Sequence, residues 1–176
     1  MSELPKPDEG GVCLDPVLEA QAAVLRNLFE LYVYDFSEQL PIDVQASGRF
    51  ELAPGDQWWT VENHFPFFIR VDGKLAGFAL VRRGSRVTGA LDTMDVAEFF
   101  VLRGKRRQGV GREAARALLA AFPGPWEIRV RRTNGVASRF WSAAIEACTA
   151  QRPEPIAVSI DGVDWDVLRT SLPLAS

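Results

Sequence analysis

A chain of 176 residues, 47% apolar and 24% charged, can bury one ordinary core and is too apolar to stay disordered. Its net charge of -3, with a sequence pI near 5.3, argues against a nucleic-acid footprint. No apolar run approaches the roughly 18 residues of a membrane helix, and two cysteines, Cys13 and Cys148, make neither a disulfide framework nor a zinc site. The start lacks the basic and apolar regions of a signal peptide. The expectation is a single domain over residues 1–176 with residues 1–11 loose. It should be cytoplasmic, with reduced thiols, no metal, and neither nucleic acid nor membrane as partner.

In chain order, residues 11–14 are a doubtful first strand, and residues 16–34 carry Leu18, Leu25, Leu28, Phe29 and Tyr32 at helical spacing. Residues 35–59 are irregular and aromatic, broken by Pro41 and Pro54. Residues 67–71 and 75–81 flank Asp72-Gly73, the pair that supplies the positive φ angles of a type I′ hairpin. After a connection over residues 82–90, the run 94–102 (MDVAEFFVL) has strand length, and residues 109–122 carry Val110, Ala114, Leu118 and Phe122 at helical spacing. A turn at 122–125 (FPGP) leads to a short strand, 126–132, and Asn134 can cap a further helix. Residues 156–160 and 163–168, joined by Asp161-Gly162, make a second hairpin.

The most informative segment is Arg106-Arg107-Gln108-Gly109-Val110-Gly111-Arg112, which joins the 94–102 strand to the next helix. A helix N-terminus offers unpaired N–H groups and the positive end of the macrodipole, and glycine lets an anion approach them. A P-loop is excluded, because Gly111 is followed by Arg112-Glu113 rather than Lys-Ser/Thr. Gly109-x-Gly111-x-x-Ala114 satisfies a dinucleotide fingerprint. However, six residues separate it from the strand, and the next strand ends in Arg129, Arg131 and Arg132 rather than a ribose-binding acid. An NAD(P)-binding protein is therefore the weaker reading.

Arg106-x-x-Gly109-x-Gly111 resembles the acetyl-coenzyme A loop of the GNAT N-acetyltransferase superfamily, Q/R-x-x-G-x-G/A. Its neighbours agree: Phe99-Phe100-Val101 precedes it at the family's spacing, and Asn134-x-x-Ala137-x-x-Phe140-Trp141 is similar to the family's N-x-x-A-x-x-[LF]-Y. The resemblance spans residues 67–169, most tightly 95–141. It implies an α/β (α+β) fold, a mixed, mostly antiparallel sheet flanked by helices. It also implies acetyl-CoA as cofactor, held by Phe100, Val101, Leu102, Arg106, Arg107, Gln108, Gly109, Val110, Gly111, Arg112, Asn134 and Trp141. The implied activity is transfer of an acetyl group to a primary amine of a small molecule or peptide by direct attack in a ternary complex. A homodimer is compatible with it, and a non-catalytic acyl-CoA sensor or scaffold of the same fold is the alternative.

Such a reaction needs a neutral amine, hence a base, and an N–H donor for the thioester oxygen. The resemblance assigns the donor to the backbone N–H of Val101 and places a base or water relay at Asp95 in some members. Simple alternation puts Asp95, Ala97 and Phe99 on one face and Val96, Glu98 and Phe100 on the other; a bulge would change the parity and bring Glu98 into play. The family's acid tyrosine falls at Trp141, an indole that cannot serve as an acid. A leaving thiol near pKa 8.5 can take its proton from water. For the acceptor, the segment 32–68 supplies Tyr32, Tyr34, Trp58, Trp59 and His64 together with Asp35, Glu38, Asp43, Glu51, Asp56 and Glu62. Acid plus aromatic suits a cationic amine; aminoglycoside, polyamine, amino acid and protein amine all stay open.

Overall fold

Two Asp-Gly pairs fix the hairpins of this protein, whose computed structural model describes residues 11–173. Of the segment expected to be loose, residues 1–10 lie outside that range. Asp72 (φ 48°) with Gly73 (φ 73°), and Asp161 (φ 51°) with Gly162 (φ 75°), take the left-handed conformations that a type I′ turn demands. They join β2 (His64–Val71) to β3 (Lys74–Arg83) and β6 (Ile156–Ile160) to β7 (Val163–Leu172). With β1 (Val12–Pro16), β4 (Met94–Val101) and β5 (Gly124–Arg131), these strands form one sheet in the order β1-β2-β3-β4-β5-β7-β6. Only the β4–β5 pair is parallel. The α/β class and the mostly antiparallel sheet follow the sequence expectation.

The helices are α1 (Ala22–Ser37), the single turn α2 (Gln57–Thr60), α3 (Val110–Ala121) and α4 (Gly135–Thr149). The doubtful first strand is present, and it displaces the expected helix start. Pro16 pairs with Phe67 and the Val17 N–H donates to Pro66 O at 2.9 Å, so the chain is extended where a helix from residue 16 was expected. Leu18 is consequently 65% exposed instead of lying on the apolar stripe. β5 likewise begins at Gly124, inside the expected turn.

Two apolar layers sandwich the sheet. On one face, Leu118 and Leu119 of α3 and Ala144 and Ile145 of α4 pack with Met94, Val96, Ile128 and Leu168. On the other, Leu25 and Leu28 of α1 and Trp58 of α2 pack with Phe68, Phe78, Leu80 and Phe100. The α1 layer includes no residue of β5 or β7, so the polar residues those strands send to that face are not roofed by apolar side chains. Gly77 allows the tight β3–β4 approach, since a Cβ there would stand 2.0 Å from Phe100 O.

Register within β4 departs from simple alternation. Leu80 pairs with Glu98 and Val81 with Val96, leaving Ala97 as a bulge. Cross-strand partners share a face: Asp95 lies opposite Arg82 and Glu98 opposite Leu80, so both acids sit on the α1 face. Simple alternation had separated them. β4 pairs with β5 only through Met94, Asp95 and Val96, and beyond the bulge the two parallel strands diverge.

Candidate active site

A cavity of about 910 Å³ runs through that divergence, from the N-terminus of α3 on one face to α1 on the other. At the α3 end its wall includes Arg106, Arg107, Gly109, Gly111, Arg112, Asn134, Phe140 and Trp141. Arg107 (φ 62°) and Gly109 (φ 84°) are left-handed and turn the loop into the helix. The first helical bond runs from Glu113 N to Gly109 O at 3.0 Å, so the amides of Val110, Gly111 and Arg112 precede the intrahelical ladder. The two glycines differ in role. A Cβ at Gly109 would meet only an Arg112 guanidinium nitrogen, at 3.9 Å, whereas one at Gly111 would press on the Phe140 ring at 3.3 Å. Gly109 keeps a concavity open, and Gly111 lets α3 sit close to α4.

The basic residues of the loop are not equivalent. Arg106 donates through Nε to Val101 O at 2.7 Å and through its other nitrogen to Asp35, with its guanidinium 5.5 Å from the Phe100 ring centroid. Arg103 reaches the same Asp35 at 2.6 Å. Asp35, at the end of α1, thus gathers two cations of the loop; Arg107 makes no ion pair among the described residues, and the exposed Arg112 has only a 3.5 Å pair with Glu113. Gln108 donates to Gly104 O at 3.0 Å and Val110 is buried, so neither side chain lines the cavity. Leu102 packs on the α1 layer. Asn134 caps α4 as expected, accepting from Ala137 N at 3.0 Å. Trp141 lies edge-on to Phe99 and Phe140, with centroids 5.0 and 5.2 Å apart.

At the throat the Leu102 N–H donates to Ala76 O at 2.8 Å, so by strand alternation the Val101 N–H points away from β3, into the gap that β5 has left. Glu98 faces the cavity on the α1 side and accepts a hydrogen bond from the Tyr32 hydroxyl. Burial pushes the Glu98 carboxyl up to about 7 although the Tyr32 hydrogen bond and the charges of Arg129 and Arg82 pull it down. Burial and the adjoining carboxylate push the Tyr32 phenol well above its usual range, so it stays a donor. Asp95 is fully buried and does not line the cavity. It accepts from Arg82 at 2.9 and 2.5 Å and from Arg129 at 3.2 and 3.2 Å. Enclosed by two guanidiniums, it holds Arg82 and Arg129 in place.

Of the expected acceptor residues the structure brings only Tyr32 to the cavity. Tyr34 is 62% exposed on another side of α1. Trp58 is buried beside His64, with ring centroids 4.9 Å apart, and Trp59 donates to Val17 O at 3.0 Å. These three pack α2 against β2, away from the cavity wall. The acids of that segment are largely engaged as well: Asp35 by the loop arginines and Asp56 by Arg26 at 2.6 Å. Sequence reasoning missed other residues that line the cavity toward α1, namely Phe36, Leu40, Ile42 and Leu52 on one side and Arg129, Arg131 and Trp165 on the other. The alternation Ile128-Arg129-Val130-Arg131 was a usable signal, since period two puts both arginines on one face of β5.

Comparison with known proteins places this geometry. Residues 25–144, more than half of the chain, match the model of the acetyltransferase (GNAT) family. No curated protein matches the sequence. Among solved structures, an acetyltransferase from Thermus thermophilus is similar with a TM-score of 0.66 at 16% identity, covering 92% of this chain and 97% of that one. An aminoglycoside acetyltransferase in complex with coenzyme A and kanamycin matches with a TM-score of 0.66 at 14% identity, over 91% and 94% of the two chains. The ribosomal-protein-S18-alanine N-acetyltransferase of Escherichia coli matches at 0.57 and 15%, over 94% and 96%. At such identities the likeness establishes the fold.

Proposed function

Since the chain belongs to the acetyltransferase (GNAT) family, we propose that it moves the acetyl group of acetyl-CoA to a primary amine by direct attack, with Glu98 as the general base. The observation that carries this reading is Glu98 itself: a carboxyl at the throat of the cavity, raised to about 7 by burial and held by Tyr32. A base with a pKa near the working pH combines adequate ionisation with adequate proton affinity.

The residues present fit the cofactor. The unpaired amides at the start of α3, the open side of Gly109, and the guanidiniums of Arg107 and Arg112 suit a pyrophosphate, and Asn134 and Trp141 stand beside the gap that a pantetheine arm needs. Bound there, acetyl-CoA supplies an activated acyl thioester. The Val101 N–H, directed into the gap, donates to the thioester oxygen as charge builds on it. Ionised Glu98 takes the proton from the acceptor ammonium, so that a neutral amine attacks. Tyr32 fixes the carboxylate by donating to it. Arg129 and Arg82, held by Asp95, keep Glu98 from rising further, while the Asp95 charge itself pushes it up. Trp141 offers no acidic proton, and the thiolate is left to protonation by water.

Release of CoA thiol, followed with purified protein, acetyl-CoA and a panel of primary amines, tests the reading. Turnover by the wild type, lost with acetyl-CoA binding retained in Glu98→Gln, is the expected result. Tight acetyl-CoA binding without turnover of any amine would instead support the sensor or scaffold alternative.

A further inference from the structure

The acceptor end of the cavity carries an unspent cation. Arg131, near the end of β5, is half-buried and lines the cavity. Among the described residues it makes no ion pair and no side-chain hydrogen bond. Its one fixed contact is the Trp165 ring across the β5–β7 ladder, with Cζ 5.3 Å from the ring centroid. Arg129 stacks on the same tryptophan at 5.3 Å, but its charge is committed to Asp95. A stacked guanidinium keeps its N–H edge free and loses little freedom on binding, which suits it to a planar carboxylate.

The surrounding charge points the same way. On this face of the sheet the cations Arg82, Arg129, Arg131 and Arg169 meet the acids Asp95, Glu98 and Glu127. Asp95 is taken by Arg82 and Arg129, Glu127 by Arg169 and Ser85, and Glu98 by Tyr32. On the opposite wall, Asp35 is neutralised by Arg103 and Arg106, and Glu38 is exposed and 3.9 Å from Arg103. Among the described residues that line the cavity, Glu98 and the loosely paired, exposed Glu38 are the acids left without a close cationic partner, too few to favour a polycation. The side of the cavity opposite Arg131 is otherwise apolar, with Phe36, Leu40, Ile42 and Leu52.

Resting on the acetyl-transfer reading above, we propose that the acceptor is an amine that also bears a carboxylate on a largely apolar body, an amino acid or short peptide, and that Arg131 binds that carboxylate while Glu98 serves the amine. Arg131, Tyr32 and Glu98 line the same cavity, which gives one small molecule access to both charged groups. The apolar wall receives the side chain. This replaces the cationic acceptor that the acidic and aromatic composition of residues 32–68 suggested.

The test pairs each carboxylate-bearing amine with a counterpart lacking the carboxylate: phenylalanine with phenethylamine, leucine with isoamylamine, and the dipeptide leucylglycine with its C-terminal amide. CoA release gives kcat/KM for each. The wild type should prefer the carboxylate-bearing member by about tenfold or more, as expected for a charge-assisted pair. That ratio should collapse toward unity in Arg131→Gln and return in part in Arg131→Lys, which keeps the charge without the fork. Equal or better use of the amines lacking a carboxylate, or an unchanged ratio in Arg131→Gln, refutes the proposal while acetyl transfer stands. Preference for phosphoethanolamine over all the amino acids also refutes it. Failure of every amine to release CoA refutes the transfer reading, and the proposal falls with it.

Discussion

Glu98→Gln separates the two consequences of a carboxyl raised from 4.5 to about 7. The first concerns stability. A carboxyl whose pKa is higher in the folded than in the unfolded chain binds more protons when folded, so the wild type loses stability as pH rises from about 4.5 to about 7 and is level above that. At about 1.4 kcal/mol per unit the loss is about 3 kcal/mol before screening by cavity water, which reduces it. Glutamine cannot ionise. The variant should therefore gain on the wild type through that window, an effect that urea titrations at pH 4.5, 6 and 8 resolve. The second consequence is kinetic. Below about pH 7 Glu98 is mostly protonated and cannot take the proton of the acceptor ammonium, so log kcat/KM should rise with a slope of about 1, levelling off once Glu98 is ionised. Glu98→Gln should show a slope of about 1 throughout, with kcat/KM at pH 7 reduced roughly 10²- to 10⁴-fold and acetyl-CoA affinity nearly intact. A wild-type profile without the change of slope, or a variant that keeps it, removes Glu98 from the role of base.

Tyr32→Phe deletes the hydrogen bond that favours the carboxylate, so the change of slope should move up by about one unit, in line with 1.5–3 kcal/mol for a bond to a charged group; the same pH–rate series on the variant reads it, and an unmoved inflection contradicts the pairing. Asp95→Asn strands the guanidiniums of Arg82 and Arg129 without a counter-charge, and scanning calorimetry should record a fall in Tm of roughly 10 °C from a loss of about 3 kcal/mol, while the position of the kinetic inflection identifies Glu98 as the titrating group if activity survives. Gly109→Asp keeps a residue type that tolerates left-handed φ yet sets a carboxylate in the anion site; titration calorimetry should show acetyl-CoA binding weakened about tenfold or more with the fold retained by circular dichroism. Trp141→Phe should alter kcat/KM much less than Glu98→Gln, since the indole contributes packing against Phe99 and Phe140 rather than a proton.

What could be read from the sequence was local. Asp-Gly pairs specify their hairpins within two residues, and Asn134 announces α4 through a cap three residues long. The loop from Arg106 to Gly111 was legible because helix start, glycines and basic residues are contiguous. Whatever depends on pairing across the sheet was not. The start of α1 was misplaced because Pro16 is claimed by β2, which lies far along the chain. Trp58, Trp59 and His64 looked like an aromatic pocket, but their composition says nothing of the direction they face, and they fill the space beneath α2. Arg131 stands on Trp165 only because β5 and β7 align residue 131 with residue 165. The acids 95 and 98 came to one face through a register shift with β3.

That shift makes the polypeptide count at one position matter more than the side chain there. Ala97 acts as a phase step of one residue between two halves of β4: upstream, even positions face α3 and α4; downstream, odd positions do. Replacing Ala97 by another small residue leaves the phase untouched. Deleting it removes the step together with the extra residue: Val96 and Glu98 become neighbours, and strict alternation then keeps Met94, Val96, Phe99 and Val101 on the α3–α4 face and Asp95, Glu98 and Phe100 on the α1 face. What is lost is the bend and added twist that a bulge gives its strand, at the point where β4 leaves β5. Residue 97 therefore bears on the opening of the gap and not on which face each side chain takes.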